Sequence, residues 1–576
     1  MANMKLYTMV DFPDDAGVAV YTEEMVDSLN RQLAEFGFKR VCFQYYGNRD
    51  YGWCMNCDDP SRKNEKKTSE LMPEYARVFA EAAQRYGMEA GAPMRPQEQG
   101  VWRTRAPNQT RDIQSGVPCI GGKMLIVSRF LEQNQNLRIK RRSWDVDLDA
   151  ESKIIGSVKL YKQNNIPSRI KKENITIYTS PDNSYYKPYT GDFTFTVSEE
   201  VAAEDVYFSV GGVDYGPDTA STEHYGGRLV TPKGATIQVI TISGLHITDR
   251  YVAIGARCEG KCSSQERFVN TISNGIACFE PDGTKICATP GGNRLYIIDK
   301  TLDSGFNFND GFGAYRGYAL DPDDNVEGYF AIAKGKDLYD HGALCECEPA
   351  VQEYWLSLLE EALDDGFDII GNRIENHSVH VDEPFAYGYN DCIKEEYYKR
   401  YGMCDEKDMD LTKIAKIRGD AYTSLFVEGA RRIRERGKKV YLTLNIEMLH
   451  DPIPLERRYA YPMNVEWQWE RWLEEIKPDE INFRMYYNSI QYLLTDPQCK
   501  KMIEVAKSYG VPMTVERYNY WDVVAEYKML NDTGLFDAMI IYETANMFRG
   551  TNEGTVEITD KAKEYLPRLK EMSEAK

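Results

Sequence analysis

Short apolar runs rich in β-branched and aromatic residues alternate with longer amphipathic stretches at both ends of the chain. This alternation predicts βα units around a parallel sheet, and eight such units close a barrel. The predicted strands are residues 5–11, 39–46, 88–95, 367–377, 439–447, 480–487, 511–518 and 536–546. Apolar spacing between them predicts helices over residues 22–35, 69–86, 351–363, 422–436, 466–476 and 500–509, with Gly437 and Gly510 as C-caps.

The pattern changes between the third and fourth strands, where short strand-like runs and turn residues predominate. Loops that follow barrel strands lie on an exposed face and tolerate long insertions. We therefore predict an α/β protein, a (β/α)8 TIM barrel interrupted after strand 3 by a β-sandwich. The predicted division is the first part of the barrel in residues 1–125, the sandwich in 126–265, a connecting β-rich segment in 266–345 with a hairpin around Pro281-Asp282-Gly283, and the second part of the barrel in 346–576.

Composition and charge exclude several classes of binding partner. The 576 residues are 42% hydrophobic, which excludes disorder, and the net charge of -20 opposes binding to nucleic acid. The N-terminus lacks the pattern of a signal peptide and no apolar run is long enough to span a membrane, so we expect no membrane partner and a cytoplasmic location, or a secreted or periplasmic one if an export signal has been removed. Without a Walker loop or a dinucleotide fingerprint, no cofactor is expected.

Cysteine usage leaves two interpretations open. The 13 cysteines are odd in number and form no regular framework, which favours free thiols in a reducing compartment. The pairs Cys54/Cys57, Cys258/Cys262 and Cys345/Cys347 have spacings that a zinc site can use. Without a visible pairing of these pairs, we favour ordinary thiols and predict no metal.

The carboxyl ends of the predicted strands carry the candidate chemistry. Alternate residues of a strand share a face, so each strand has one face that points into the barrel. That face ends in Asp11, Gln44 and Arg95 on the first three strands, Arg373, Glu375 and His377 on the fourth, Asn445 and Glu447 on the fifth, Arg484 and Tyr486 on the sixth, Glu516 and Tyr518 on the seventh, and Ile541 and Glu543 on the eighth. Because these strand ends converge on one pocket, we predict an active site there.

Two carboxyl groups suffice to hydrolyse a glycosidic bond, one as proton donor and one as nucleophile or base. Glu375 and Glu516 are the best-placed pair, and a carboxyl separation of about 5 to 5.5 Å would indicate a retaining mechanism. Glu447 and Glu543 are reserve carboxylates. The residues predicted to bind a carbohydrate substrate are Arg373, His377, Asn445, Glu447, Arg484, Tyr486, Tyr518, Trp521 and Glu543.

Two other functions fit the same residues. Glu375, His377, His380 and Glu447 include the nitrogen and oxygen ligands of a metal-dependent hydrolase or isomerase. A catalytically inactive barrel that binds carbohydrate would also carry this polar and aromatic lining.

Two stretches resemble known families. Asp365-Gly-Phe-Asp-Ile-Ile-Gly-Asn-Arg-Ile-Glu-Asn-His-Ser378, followed by Tyr387-Gly-Tyr-Asn390, resembles the central segment of bacterial family-10-like glycoside hydrolases. That resemblance implies a barrel of the retaining clan, with Glu375 as acid/base at the end of strand four and Glu516 as nucleophile at the end of strand seven. Residues 173–183 and 242–254 resemble strands of discoidin-type, galactose-binding-like domains, which implies a sugar-binding or scaffold role, and we favour the scaffold role.

Overall fold

The computed structural model describes residues 3–46, 63–95, 99–105, 122–146, 149, 152–162, 171–181, 187–207, 209–210, 213–214, 230–256, 272–288, 293–294, 328–335, 338–374, 384–447, 449, 464–485, 488–518 and 522–575. Eight parallel strands close a barrel in the order in which they follow along the chain. They are β1 Lys5–Val10, β2 Phe38–Phe43, β3 Glu89–Met94, β4 Ile369–Asn372, β5 Lys439–Asn445, β6 Glu480–Arg484, β7 Met513–Tyr518 and β8 Ala538–Tyr542. The predicted fold class and all eight strands are confirmed.

Helices cover the outside of the barrel. They are α1 Phe12–Val18, α2 Glu23–Glu35, α3 Lys63–Leu71, α4 Tyr75–Arg85, α5 Arg129–Gln133, α6 Pro349–Asp364, α7 Asp391–Tyr401, α8 Leu411–Glu435, α9 Trp469–Ile476, α10 Ile490–Thr495, α11 Pro497–Ser508, α12 Val523–Thr533 and α13 Asp560–Glu574. The single helix predicted over residues 69–86 is wrong, because Pro73 lies between α3 and α4 and cannot continue a helix. Gly437 and Gly510 follow their helices with φ values of 68°, as C-caps require.

The two faces of the barrel strands differ in what they bury. Outward residues such as Leu6, Ile370 and Phe483 join one apolar cluster with the helices. Inward residues fill the barrel interior and pack closely against one another. A Cβ on Gly371 would lie 2.0 Å from the carbonyl oxygen of Tyr441, so β4 needs glycine where the buried Tyr441 lies beside it.

Ion pairs close the amino end of the barrel interior. Arg40 donates from Nη1 and Nη2 to both carboxylate oxygens of Glu480, at 2.6 and 2.7 Å, and from Nε to Glu89 at 2.7 Å. Lys439 completes the set by donating to Glu89 at 2.8 Å. The guanidinium also lies 4.1 Å from the ring centroid of Tyr7. Each of these four charged side chains therefore contacts one of opposite charge.

The insertion between β3 and α6 forms two five-stranded antiparallel sheets. One sheet has the order Thr194–Val201, Thr236–Ile247, Ile155–Lys162, Ile272–Phe279 and Lys285–Ala288; the other has the order Asn293–Arg294, Gly328–Ala333, Tyr251–Ala256, Ile175–Ser180 and Lys187–Pro188. Residues of both sheets share one buried apolar cluster, which includes Val158 and Ile254. The predicted hairpin is present, with Gly283 at a φ of 90°.

The boundary predicted at residue 265 does not coincide with the sheets. Ile272–Phe279 pairs with Ile155–Lys162, and Gly328–Ala333 pairs with Tyr251–Ala256. Strands from the predicted connecting segment therefore complete both sheets. Where the chain leaves and rejoins the barrel, Arg138–Lys140 and Tyr339–Leu344 form an antiparallel ribbon. Among the described residues, no helix combines the length and apolar composition needed to cross a bilayer.

Candidate active site

The carboxyl ends of the barrel strands bring together most of the predicted site residues that the structure describes. Strand pairing and burial place Arg373, Asn445, Glu447, Arg484, Glu516 and Tyr518 on the inward face, as predicted from strand parity. Glu375, His377, His380, Tyr486 and Trp521 lie outside the described residues, so the Glu375–Glu516 separation and the four-residue metal set stay predictions.

Glu516 lies at the centre of this group. Its Oε1 is 3.4 Å from Nη2 of Arg373 and 3.3 Å from Nε of Arg484, and its Oε2 accepts a hydrogen bond from Asn482 at 3.2 Å. The side chains of both arginines are 0% exposed and that of Glu516 is 1% exposed. Two guanidinium groups in a site shielded from water favour the ionised form of a carboxyl group.

Further contacts hold the two arginines in place. Arg373 donates from Nη1 to Oε1 of Gln44, whose own amide donates to the carbonyl of Pro93 at 3.1 Å. Arg484 donates from Nη2 to the hydroxyl of Tyr518 at 2.9 Å. The guanidinium groups are thus oriented by Gln44, which follows β2, and by Tyr518 of β7, as well as by Glu516. Gln44, which the parity argument placed at a strand end, belongs to this network.

Tyr542 lies beside these groups and was missed in the sequence. Its ring packs edge-on against Tyr518, with centroids 4.4 Å apart, and lies 5.3 Å from the guanidinium of Arg373. The inward residues of β8 are therefore Ala538, Ile540 and Tyr542, which share a buried cluster inside the barrel. The predicted inward position of Ile541 is wrong, because Ile541 packs with the helices. The register pairs Tyr518 with Tyr542, which places both rings at the same level of the barrel.

Glu543 lies in an acidic group next to the end of β8. Carboxylate oxygens of Glu543, Asp11 and Asp14 lie within 4.8 Å of one another. Burial, together with the neighbouring charges of Asp14 and Asp11, raises the pKa of Glu543 from 4.5 to about 8, against opposing contributions from Tyr542 and Arg95. Asp11 in turn accepts a hydrogen bond from the hydroxyl of Tyr542 at 2.8 Å. This carboxyl group therefore holds a proton at neutral pH.

The remaining described candidates line the same end. Glu447 is buried, and its Oε1 accepts a hydrogen bond from the backbone amide of Asn488 at 3.3 Å. Asn445, two residues earlier in the chain, is equally buried. Arg95 donates to the hydroxyl of Tyr46 at 2.9 Å. The mouth of the barrel therefore presents both hydrogen-bond donors and carboxylates, which is what binding of a polyhydroxylated ligand requires.

Two cavities lie away from this group, on the helical side of the barrel. One, of about 700 Å³, lies beside α4 and α6 and is lined by residues such as Arg77 and Glu353. The other, of about 730 Å³, is lined by residues such as Trp469 and Lys501. Neither contains a residue that was predicted for the active site.

Comparison with known proteins gives no family. No model of a known protein family matches the chain, and no curated protein matches it. The catalytic domain of β-amylase from Paenibacillus polymyxa aligns over 100% of this chain and 100% of its own, at 8% identity and a TM-score of 0.37. A protein assigned as an α-L-fucosidase from Bacteroides thetaiotaomicron aligns over 41% of this chain and 79% of its own, at 12% identity and a TM-score of 0.21. At these scores, neither likeness carries an argument about the site.

Proposed function

We propose that the protein is a glycoside hydrolase whose active site is the carboxyl end of the barrel. The observation that carries the proposal is the carboxylate of Glu516 between the guanidinium groups of Arg373 and Arg484. In this proposal, Glu516 attacks the anomeric carbon of a bound sugar and forms a glycosyl ester while the glycosidic oxygen leaves with a proton. A nucleophile must be ionised to attack, and the two arginines favour that state.

The proton has two candidate donors. Glu375, at the predicted end of strand four, is the donor that the family-10-like resemblance implies. Glu543, beside Asp11 and Asp14 at the end of β8, is the second candidate, since its pKa of about 8 favours the protonated form at neutral pH. After the first step, the same residue would take a proton from water, whose oxygen then hydrolyses the ester and restores the carboxylate of Glu516.

Substrate binding is proposed for the polar groups around Glu516. Asn445 and Glu447 offer an amide and a carboxylate for sugar hydroxyls, and Arg373 and Arg484 suit an acidic sugar because guanidinium groups bind carboxylates in charge-assisted pairs. Tyr518 contacts Arg484 and Tyr542 inside the barrel, so its role in the proposal is to position Arg484. The two-sheet insertion keeps its predicted scaffold role.

The inactive carbohydrate-binding barrel is the second candidate, and the burial of Glu516 favours it. A carboxylate that is 1% exposed and in contact with two arginines has the burial of a structural ion pair. Under this alternative, the protein binds sugars at the mouth of the barrel without turnover.

The test is hydrolysis of a panel of nitrophenyl glycosides of both anomeric configurations, with acidic sugars included. The proposal expects release of nitrophenolate from at least one member and retention of configuration in the product. An activated 2-deoxy-2-fluoroglycoside of that sugar, whose fluorine slows hydrolysis of the ester, should then add one glycosyl group to the peptide that contains Glu516.

Each other outcome has a definite meaning. Hydrolysis with inversion, or a label on a different peptide, would remove Glu516 as nucleophile. Saturable binding of sugars without any turnover across the panel would establish the inactive alternative. Dependence of turnover on an added divalent metal would favour the metal-dependent hydrolase predicted from Glu375, His377, His380 and Glu447.

A further inference from the structure

Three thiols and a carboxylate meet where the insertion rejoins the barrel, away from the barrel mouth residues described above. Cys345 follows the ribbon strand Tyr339–Leu344, Glu348 is the N-cap residue of α6, and Cys392 lies in the first turn of α7. One ligand atom from each of these three residues lies within 4.8 Å of the other two. The Sγ of Cys392 is 3.3 Å from Oε1 of Glu348. A fourth group, the thiol of Cys347, is hydrogen-bonded to Cys345.

We propose that Cys345, Cys347, Cys392 and Glu348 bind a zinc ion. Three thiolates and one carboxylate are a ligand set that zinc accepts, and Zn–S bonds of about 2.3 Å in a tetrahedron put the sulfur atoms about 3.8 Å apart. The ligand atoms of Cys345, Cys392 and Glu348 already lie within 4.8 Å of one another, and Cys347 is hydrogen-bonded to Cys345. The pair Cys345/Cys347 was considered in the sequence on spacing alone, and the structure adds the second pair of ligands.

The surroundings suit a closed site that holds an ion for structural purposes. Cys345 is fully buried, while Cys347, Glu348 and Cys392 are partly buried. An apolar cluster that includes Ile139, Tyr387 and Ile393 packs around the group. Four protein ligands leave no open position for a substrate.

The bound ion would join three separate pieces of the chain. The ribbon strand returns from the insertion, α6 leads into β4, and α7 follows the segment after β4. Residues 375–383, which include the predicted acid Glu375, lie between β4 and α7. An ion bound to Cys392 and to Glu348 therefore fixes both the start of α7 and the start of the helix before β4. Its effect on stability should exceed its effect on the chemical step.

The first experiment uses the wild-type full chain, purified under reducing conditions. Elemental analysis by mass spectrometry should find about one zinc per chain, and a chelator should remove it and lower the melting temperature. Titration of the chelated protein with Co²⁺ should produce thiolate-to-cobalt charge-transfer absorption and the visible bands of tetrahedral coordination. Failure to bind either ion in the reduced wild-type protein would overturn the proposal, as would a disulfide between Cys345 and Cys392 in protein purified without reductant.

Variants then locate the ion. Cys345→Ser with Cys392→Ser should abolish the charge-transfer band, and Cys347→Ser alone should reduce its intensity by about a third if all three thiolates are ligands. Cys499→Ser is the matched control, because Cys499 is buried on α11, is not in a disulfide and is not one of the four proposed ligands, so the band should be unchanged. Glu348→Gln keeps all thiols and should weaken zinc binding without unfolding the chain. Full zinc content in the double serine variant would overturn the assignment and direct attention to Cys54/Cys57 or Cys258/Cys262.

Discussion

Both ends of the barrel interior hold arginine and glutamate away from water, but in different geometry. At the amino end, Arg40 makes a two-pronged pair with Glu480 at 2.6 and 2.7 Å. At the carboxyl end, Arg373 and Arg484 share one oxygen of Glu516 at 3.4 and 3.3 Å. The short, paired contacts at the amino end match the geometry of a structural ion pair. The longer contacts at the carboxyl end hold a charged carboxylate with less direct hydrogen bonding.

The two ends also move carboxyl pKa values in opposite directions. At the amino end, burial raises the pKa of Glu89, but the charges of Arg40 and Lys439 outweigh it and the net pKa is lowered. At the carboxyl end, burial and neighbouring carboxylates raise the pKa of Glu543 to about 8. The amino end therefore favours the charged form of Glu89, whereas the carboxyl end favours the protonated form of Glu543 and places two arginines beside the carboxylate of Glu516. Two carboxyl groups in different states are what acid-assisted hydrolysis needs.

The largest expected effect comes from replacing one glutamate at each end of the barrel, which should lower turnover in one variant and stability in the other. Glu516→Gln should lower turnover by roughly 10⁴-fold, because the amide cannot form the glycosyl ester. Glu480→Gln should keep the turnover of each folded molecule but lose about 3 to 5 kcal/mol of stability, since Arg40 loses its main partner. Initial rates and thermal melting of both variants measure the contrast. If Glu516→Gln keeps turnover within tenfold of the wild type, Glu516 is not the nucleophile and the ion pairs at both ends of the barrel have only a structural role.

The second prediction makes the same arginine-to-lysine substitution at each end of the barrel. Lysine keeps the charge but loses the planar fork of arginine. Arg484→Lys should lower kcat/KM by about 10- to 100-fold, because it removes the contacts to Glu516 and Tyr518 that orient the site.

Arg40→Lys is the matched control for that substitution. It should lower the melting temperature and leave kcat/KM unchanged, because Arg40 contacts Glu480 and Glu89 at the amino end of the barrel, opposite the end that holds the reacting carboxylate. Equal losses of kcat/KM in both variants would show that the effect is one of general packing and would remove the functional distinction between the two ends.

The strands of this site were predictable from sequence to different degrees. On β5 and β6, polar or aromatic residues alternate with apolar ones toward the carboxyl end, and on β7 this alternation holds as far as Glu516, so the inward face of each strand could be predicted. On β8, Ala538 through Ile541 are apolar on both faces, since a strand in a parallel barrel is buried on both sides. The prediction that Ile541 and Glu543 share the inward face was therefore wrong for Ile541 and missed Tyr542.

Contacts between distant segments account for the other differences. The sheet strands after residue 265 pair with strands far earlier in the chain, and no local pattern in the sequence announces those partners. Cys392 was likewise not associated with Cys345 and Cys347, because a helix and a barrel strand separate them in sequence. The acidic group around Glu543 arises from closure of the barrel, which brings β8 next to β1 and so to Asp11 and Asp14.

The last expected effect, the pH dependence of stability, is the smallest for a single step of pH, at most about 1.4 kcal/mol per unit, and it tests the opposed pKa shifts directly. For Glu543, the folded protein keeps the proton up to about pH 8, whereas the unfolded chain releases it near 4.5. Stability from this group is therefore full below pH 4.5 and is lost as pH rises toward 8, with a slope of at most about 1.4 kcal/mol per pH unit. Glu543→Gln should remove that decline from a series of melting curves.

Glu89→Gln is the control with the opposite sign. Because the folded pKa of Glu89 lies below its usual value, its stabilising contribution is present above pH 4.5 and is lost as the pH falls through the lowered folded value. This variant should flatten the acid side of the melting series and leave the interval from 4.5 to 8 unchanged. If Glu543→Gln leaves that interval as steep as in wild type, Glu543 is not the protonated group, and Glu375 remains as the proton donor of the proposed reaction.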